Sequence, residues 1–472
     1  MFLRNPRRLL AAPAVLCVLC LGLSAPAPAL AQARASAPSD PVLERLVREA
    51  LESRPELSQA RSLVRAAEER VPQVGRLPDP ILTLGIQNDG FKEIQIGTME
   101  TSWWQVMLTQ PLPWPGKLGF RADAAALEAK GAEASLERVR LSVEADVRRA
   151  YLDLLLARDR LQLLSRLEAL WTQSAGLAKT RYEVGDGPQS DLLRAQLELT
   201  RLRQRRWSLE AEERTRVQEL NRLRSHALEE PIATTLSLRE LPDPPLPGLE
   251  EARADAESRS PELAAARFGR QASERQLDLA RRERYPDFAV TAGVMPRGQL
   301  EPMWLVSVGI TLPVYGRQSH GVEEGLARER ATADGEEAVR QLLRLRVQER
   351  QVLLAALLPV VQLYRSGLLV QSEATVASTT AQYRVGRVTF ASVLEALAGY
   401  LADVDGFLQA ISETQRVAIA QREVSLQAAG GGGGALGGGG IPGAGAVAVP
   451  AGGAAPGAAQ TAEQGAAPMS RM

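Results

Sequence analysis

One short segment occurs twice in this chain, at residues 110–117 and 311–317. Each copy joins an alternating apolar run to a long helical pattern. Three other pairs of segments, about 200 residues apart, keep the same order. They are Ser53 to Leu57 with Ser260 to Leu263, Pro78 to Gly85 with Pro286 to Gly293, and Tyr182 to Gly185 with Tyr383 to Gly386. Ordered matches at a near-constant spacing indicate internal duplication. The sequence therefore predicts two tandem copies of one long structural unit.

The N-terminus is typical of a secretory signal peptide over residues 1–31: arginines, then an apolar run at 9–23, then small residues that end at Ala31. We therefore expect the mature protein to leave the cytoplasm. Both cysteines of the chain, Cys17 and Cys20, lie in the apolar run. Lipidation of Cys20 is the less favoured alternative, because the residues before it are not small. Cleavage after Ala31 leaves no cysteine for disulfides or metal sites.

Composition divides the rest of the chain into four segments. The first repeat is predicted at 32–225 and the second at 251–427, with a proline-rich connector at 226–250 between them. Glycine, alanine and proline dominate residues 428–472. We predict that this tail is disordered, because such a composition buries too little side chain to offset the entropy of ordering it.

Alternating apolar residues predict a β-hairpin at 80–112 and a second one at 286–314. Strands of about ten residues match the tilted strands of a membrane barrel, and Trp103 and Trp104 are typical of a membrane-interface girdle. A soluble hairpin with a tryptophan in its core explains the first stretch equally well. No stretch after the N-terminal run has the roughly 20 unbroken apolar residues of a spanning helix. Insertion of the mature chain into a membrane would therefore require a barrel.

Four strands are too few to close such a barrel, because the smallest membrane barrels have about eight. An open sheet in lipid would also leave the backbone groups of its edges without hydrogen-bond partners. Several copies must therefore combine their strands, and three copies give twelve. The periodicity alone does not distinguish three copies from two or four.

A very long helical pattern follows each hairpin. The first runs for roughly 65 residues without proline, on the order of 100 Å, with apolar residues spaced as in a coiled-coil seam. Glycine turns near residues 185 and 386 join each long helix to a second one, so each repeat forms a helical hairpin with a tip. In the second repeat, Pro359 predicts a kink near Leu357. The predicted fold class is mainly α, with duplicated long α-helical hairpins and four strands that contribute to membrane β-structure.

Several function classes have little support in the sequence. Lysine plus arginine and aspartate plus glutamate both number 56, so no excess of charge favours nucleic acid. Gly116-Lys117 lacks the glycine that a phosphate-binding loop requires five positions earlier. The two histidines, His226 and His320, are isolated from each other, and no Gly-x-Ser-x-Gly motif occurs. We predict that the protein is not an enzyme and has no cofactor or metal site.

Two rival functions fit part of the pattern. A periplasmic adaptor also presents a long helical hairpin, but only one, between small β-domains. A soluble coiled-coil scaffold would need the β-segments to be incidental. The duplicated hairpins and paired strands favour a membrane conduit over both.

In combination, the Pro-Asp strand starts, the Leu-Pro…Gly-Lys/Arg turns and the Tyr-x-Val-Gly tips resemble the TolC family of outer-membrane efflux ducts. The resemblance covers residues 41–427 and is closest to the branch paired with heavy-metal resistance-nodulation-division pumps. It implies a homotrimer with a twelve-stranded barrel in outer-membrane lipid and an α-barrel in the periplasm. It also implies two partners, a periplasmic adaptor and an inner-membrane efflux pump. The expected function is the exit duct of a tripartite efflux or secretion system.

The family pattern also assigns roles to residues of the periplasmic mouth. Asp191 matches an acid that holds the mouth closed by bonding a second-repeat tyrosine, which matches Tyr383. Glu395 matches one of two acids that ring the constriction, and the other position holds Ser392. The tip arginine of the family is replaced by Val388, so the resemblance implies an incomplete closing network.

The tips themselves match the adaptor-docking segments of the family. The first tip contains Tyr182 and Gly185, and the second contains Gly386 after Tyr383. The resemblance implies that Tyr182, Gly185 and Gly386 contact the adaptor. These residues and the gate residues are the candidate functional site.

Overall fold

A computed structural model describes residues 40–428. The predicted signal peptide, Cys20 and all but the first residue of the predicted tail lie outside this range. The elements, in order, are α1 (Pro41–Ser53), α2 (Pro55–Gly75), β1 (Ile81–Gln87), β2 (Trp103–Leu112), α3 (Lys117–Glu183), α4 (Gln189–Leu223), α5 (Leu249–Arg259), α6 (Pro261–Arg282), β3 (Phe288–Arg297), β4 (Leu300–Ile310), α7 (Arg317–Leu363), α8 (Leu369–Arg384) and α9 (Phe390–Glu423). A 3-10 turn covers Leu238–Glu240, and a π-helical turn, Tyr364–Leu368, joins α7 to α8.

Each half of the described chain has two short helices, two strands and a long helical hairpin, in that order. The first predicted hairpin differs in one detail, because β1 has only 7 residues. Asn88 ends it: its side-chain amide donates to the carbonyl oxygens of Gly90 and Glu93, at 2.9 and 2.7 Å. Its side-chain oxygen accepts from the amide of Gln95 at 2.7 Å. These bonds wind the following loop around one side chain, so the strand does not continue.

The four strands form one antiparallel sheet in the order β1-β2-β3-β4. The two halves therefore meet at the β2–β3 pair, where Leu108 lies opposite Ala292. The outer edges of β1 and β4 pair with no strand in the described residues. One face of the sheet carries exposed apolar side chains; these are Leu82, Leu84, Ile86, Trp104, Val106, Leu108, Val294, Trp304, Val306, Val308 and Ile310.

The sheet corrects one expectation about the tryptophans. Successive side chains of a strand point to opposite faces. Trp104 therefore lies on the apolar outer face, together with Trp304 of the second repeat. Trp103 lies on the other face and is half-buried. Only Trp104 of the predicted pair is placed for a membrane-interface girdle.

The core of the helical part lies around α3, which has 67 residues and packs against α2, α4, α6 and α9. At 1.5 Å per residue this helix is on the order of 100 Å long. Val143, Val147 and Leu154 on its seam are buried. The seam predicted from the spacing of apolar residues thus lies against other helices. Because α3 contacts elements of both repeats, it joins the two hairpins.

The second long helix departs from α geometry at Tyr364–Leu368, C-terminal to the kink predicted near Leu357. Pro359 is contained within α7. Tyr364 explains the location: its ring lies 6.1 Å from that of Phe407, and a Cβ on Gly406 would come within 2.7 Å of its hydroxyl oxygen. The wider turn seats this tyrosine against α9, where Gly406 leaves room for its hydroxyl.

The segment Arg317–Arg384 has no unbroken run of about 20 apolar residues, yet by length and composition alone it could cross a membrane. It contains an 18-residue window of mean hydropathy 1.7 with at most two charged residues. Leu353, Val360 and Leu363 of this helix are exposed in the isolated protomer. The same helix continues to a hairpin tip and packs against α9. We interpret its apolar residues as a surface for neighbouring helices, because the helix runs far beyond the length of one membrane span.

Candidate functional site at the hairpin tips

The two hairpin tips are built in the same way. Gly185 and Gly386 each follow a helix with a positive φ, +82° and +75°. In each tip the amide after the glycine donates to the carbonyl five residues earlier, at 2.8 and 2.9 Å. The glycine amides donate to the carbonyl oxygens of Tyr182 and Tyr383, at 3.1 and 3.0 Å. This is a Schellman C-cap, which requires a left-handed residue and therefore favours glycine.

The tyrosines of the two tips lie in different environments. Tyr182 is 43% exposed, whereas Tyr383 is only 2% exposed. The ring of Tyr383 packs 5.3 Å from that of Phe390, at the start of α9. The shared Tyr-x-Val-Gly motif does not distinguish the two tyrosines. Tyr383 is covered by Phe390 of its own hairpin, where α4 of the first hairpin begins with Gln189, and by side chains of the neighbouring hairpin.

Three side chains, here called the tip cluster, join the hairpins: Arg181, Asp191 and Tyr383. The Tyr383 hydroxyl donates to Asp191 Oδ2 at 3.5 Å. The Arg181 guanidinium donates to the Tyr383 carbonyl oxygen at 2.8 Å, and its Cζ lies 5.0 Å from the ring centroid. Arg181 also donates to the carbonyl oxygen of Asp186 at 3.1 Å. First-hairpin side chains thus hold a second-hairpin tyrosine from two sides.

The tip cluster also affects the acidity of Tyr383. Burial raises the pKa of the hydroxyl above its usual value, and the negative charge of Asp191 raises it further. The positive charge of Arg181 partly offsets both effects. Since an unperturbed tyrosine has a pKa of about 10, the hydroxyl stays protonated at physiological pH and remains a donor to Asp191.

Sequence reasoning missed Arg181. The tip arginine of the family corresponds to position 388, where this chain has Val388, which is half-buried and packs against the core. The structure supplies the cation from the first hairpin instead. The sequence did contain one difference between the tips. An arginine, Arg181, precedes the tyrosine of the first tip, whereas Gln382 precedes the tyrosine of the second. The sequence did not show that this arginine reaches across to the other hairpin.

Glu395 lies away from the tip cluster, exposed on α9. It lines a cavity of about 480 Å³ together with Ser392, Gln371, Tyr400 and Asp403. Asp403 is a second acid on the same groove, two helical turns beyond Glu395, and it does not belong to the sequence motif of the tip. The structure therefore brings Asp191 and Tyr383 together and places Glu395 in a separate acidic groove.

The residues that resemble other kinds of site have structural partners. The ammonium of Lys117 is buried and lies 2.8 Å from Asp287 Oδ1 and 2.9 Å from the carbonyl oxygen of Tyr285. The ring of His226 lies 2.9 Å from the carboxylate of Glu230. Within residues 40–428, no group of three or more His, Cys, Asp or Glu side chains is arranged to hold a metal ion.

Duplicated helical hairpins and a sheet with an apolar outer face define the class of this protein as an outer-membrane channel. The chain belongs to the outer membrane efflux protein family, whose sequence model matches residues 46–225 and 252–432. The family accounts for both repeats. Among curated proteins, no relative matches the chain.

Solved structures with the same fold support this assignment. CusC, described for conformational changes during folding and transmembrane channel formation, is 20% identical, with a TM-score of 0.70 over 84% of this chain and 93% of that one. The outer membrane protein VceC from Vibrio cholerae is 18% identical, with a TM-score of 0.68 over 82% and 96%. The open state of the MtrE outer membrane channel from Neisseria gonorrhoeae is 18% identical, with a TM-score of 0.70 over 82% and 89%.

The protein is thus an outer-membrane efflux channel with a long periplasmic helical portion, the exit duct of an efflux system. The similar proteins are channels rather than enzymes. The adaptor and scaffold alternatives are not favoured, because the family match covers both repeats and the fold includes the sheet.

Proposed function

We propose that three copies of this chain form one duct, which receives its substrate from an inner-membrane pump through a periplasmic adaptor. The support is the four-stranded sheet with an apolar outer face and two unpaired edges. In lipid each unpaired edge costs several kcal/mol per backbone group. Three copies remove all edges by closing twelve strands into a barrel.

The hairpin tips form the periplasmic mouth in this proposal, and the adaptor docks on them. Tyr182, Gly185 and Gly386 are exposed there. Val184 and Val385 beside them are 65% and 67% exposed, so each tip presents an apolar side chain to solvent. The left-handed glycines fix the direction of these valines. A partner with an apolar, helical end would cover them.

The tip cluster serves as the latch of the mouth. The observation that supports this role is that Arg181 and Asp191, both from the first hairpin, hold Tyr383 of the second. Any opening that separates the two tips must break these contacts. Val388 does not weaken this latch, since Arg181 supplies the positive charge.

Glu395 forms a ring of three carboxylates around the tunnel in the proposed trimer, and Asp403 forms a second ring. Such rings attract cations and repel anions. We expect Glu395→Gln to lower the preference for cations in planar bilayers, and Glu395→Ala to raise passive conductance. Glu373→Gln, at an exposed acid of α8, is the matched control. Unchanged selectivity and current in a correctly assembled Glu395 variant would contradict a role of this residue in the gate.

The proposed function is tested by fractionating cells after chemical crosslinking. Heat-modifiable trimers in the outer membrane that retain a pump and an adaptor would support it. A monomer recovered from the soluble periplasmic fraction would refute the duct. Trimers without any retained inner-membrane protein would refute only the tripartite assembly.

A further inference from the structure

The turn between β2 and α3 is held by one carboxylate of the second repeat. Asp287 Oδ1 lies 2.8 Å from the Lys117 ammonium and accepts the backbone amide of Trp114 at 2.7 Å. Lys117 is 3% exposed. The Trp114 ring stacks on the ring of Tyr285, with centroids 5.1 Å apart. This contact, here called the turn junction, fastens the first repeat to the second where β2 pairs with β3.

The duplication contains the parts of a second turn junction. Residues 112–117 align without a gap with residues 312–317, an offset of 200, so Arg317 is the counterpart of Lys117. Pro78-Asp79 aligns with Pro286-Asp287, an offset of 208, so Asp79 is the counterpart of Asp287. Arg317 and Asp79 are both exposed. Within residues 40–428 neither makes an ion pair or a side-chain hydrogen bond.

The location of these two residues explains why they do not meet in one protomer. Asp79 lies just before β1, and Arg317 begins α7 just after β4. β1 and β4 are the opposite edges of the sheet. A turn junction forms only where the second strand of one repeat lies beside the first strand of another. In the protomer that neighbour exists for β2 alone.

The short helices show the same gap. α6 of the second repeat packs against both long helices, α3 and α7. Its counterpart α2 packs against α3 and makes no comparable contact with α7 in the part of the chain that the structure describes. Leu63 on α2 is 61% exposed. Both the sheet edge and this helix therefore lack the same neighbour, a second-repeat surface.

We propose that a second copy of this chain supplies that surface, and that Arg317 of one protomer forms an ion pair with Asp79 of the next. The inference rests on the proposed assembly and adds the register in which β4 of one copy pairs with β1 of the next. Applying the two offsets to the Leu108–Ala292 pair of β2 and β3 places Val308 of β4 opposite Leu84 of the next copy's β1. The junction between copies has Val314 in place of Trp114, so it lacks the aromatic stack and depends more on the ion pair.

Cysteine pairs test the register directly, in a background with serine at the two native cysteines. Leu84→Cys with Val308→Cys is expected to give disulfide-linked dimers and trimers, because directly opposite Cβ atoms lie close enough to bridge. Leu82→Cys with Val308→Cys, two residues out of register, is expected to give about tenfold less of these disulfide-linked species. Leu108→Cys with Ala292→Cys is the in-chain equivalent and should form a disulfide without joining subunits.

A charge exchange tests the ion pair. Arg317→Asp or Asp79→Arg alone is expected to lower the temperature at which trimers dissociate in detergent, and the two together to restore it. This inference would be overturned if the out-of-register cysteine pair crosslinked best, or if the charge exchange did not restore the dissociation temperature of the trimers. Neither result would contradict the proposed duct. Failure of every variant and of the wild type to form trimers would overturn both.

Discussion

We expect Arg181 to hold the two tips together more strongly than the hydroxyl of Tyr383 does. The bond from its guanidinium to the Tyr383 carbonyl oxygen, at 2.8 Å, and the ring contact at 5.0 Å both cross between the hairpins. A hydrogen bond from a charged donor contributes about 1.5–3 kcal/mol and a cation–π contact about 0.5–2 kcal/mol. Because the side chain is half-exposed, the lower ends apply. We therefore expect Arg181→Ala to cost about 2 kcal/mol per protomer.

The hydroxyl of Tyr383 contributes less. Its distance to Asp191, 3.5 Å, is at the outer limit of a hydrogen bond. We expect Tyr383→Phe to cost about 0.5 kcal/mol, which favours the open mouth about twofold per protomer. The corresponding factor for Arg181→Ala is about 30-fold. Because the pKa of Tyr383 is raised, the hydroxyl contact is present below about pH 10 and is lost only as pH rises through the folded-state pKa.

Single-channel recording in planar bilayers measures this difference as the fraction of time the channel conducts. Arg181→Ala should raise that fraction far more than Tyr383→Phe. Arg387→Ala, at an exposed arginine of the second tip, should leave it unchanged. Equal effects of Arg181→Ala and Arg387→Ala would show that charge at the mouth, rather than the contact with Tyr383, controls opening. An effect of Tyr383→Phe as large as that of Arg181→Ala would refute the ranking of the two contacts.

Three further predictions follow from the same geometry. Glu395→Gln should shift the reversal potential in a salt gradient toward that of a nonselective pore, with no change in trimer yield. Gly386→Ala should lower the free energy of unfolding by about 1–2 kcal/mol because Gly386 has a left-handed φ. Gly176→Ala, in open space within α3, should raise it by up to about 1 kcal/mol. Denaturant titration compares the two variants, and changes of the same sign in both would contradict the prediction. Asp287→Ala should lower the thermal unfolding temperature, since it leaves the buried charge of Lys117 without a carboxylate, with only the Tyr285 carbonyl oxygen as a partner, at a cost of about 3 kcal/mol. Restored stability in the Lys117→Met double variant would distinguish this cause from loss of packing.

The sequence by itself determined the duplicated unit, the positions of the hairpins and the long helices. These features depend on local periodicity, which alternation in strands and heptad spacing in helices express directly. The glycines at the two tips were also predictable, since a helix that reverses at a Schellman cap requires a left-handed residue. The shortened β1 was not, because the Asn88 bonds that end it depend on the path of the following loop.

Only the tertiary structure decided what the equivalent residues of the two repeats do. Tyr182 and Tyr383 share one motif, yet the second is buried because Phe390 packs on its ring and the first hairpin supplies Arg181 and Asp191 around it. Lys117 reaches an aspartate 170 residues away, whereas Arg317 has no such partner among the described residues. Contacts between residues so distant in sequence follow from how the repeats pack side by side. Both copies have the same kinds of local periodicity, which therefore carry no information about which copy lies at an edge.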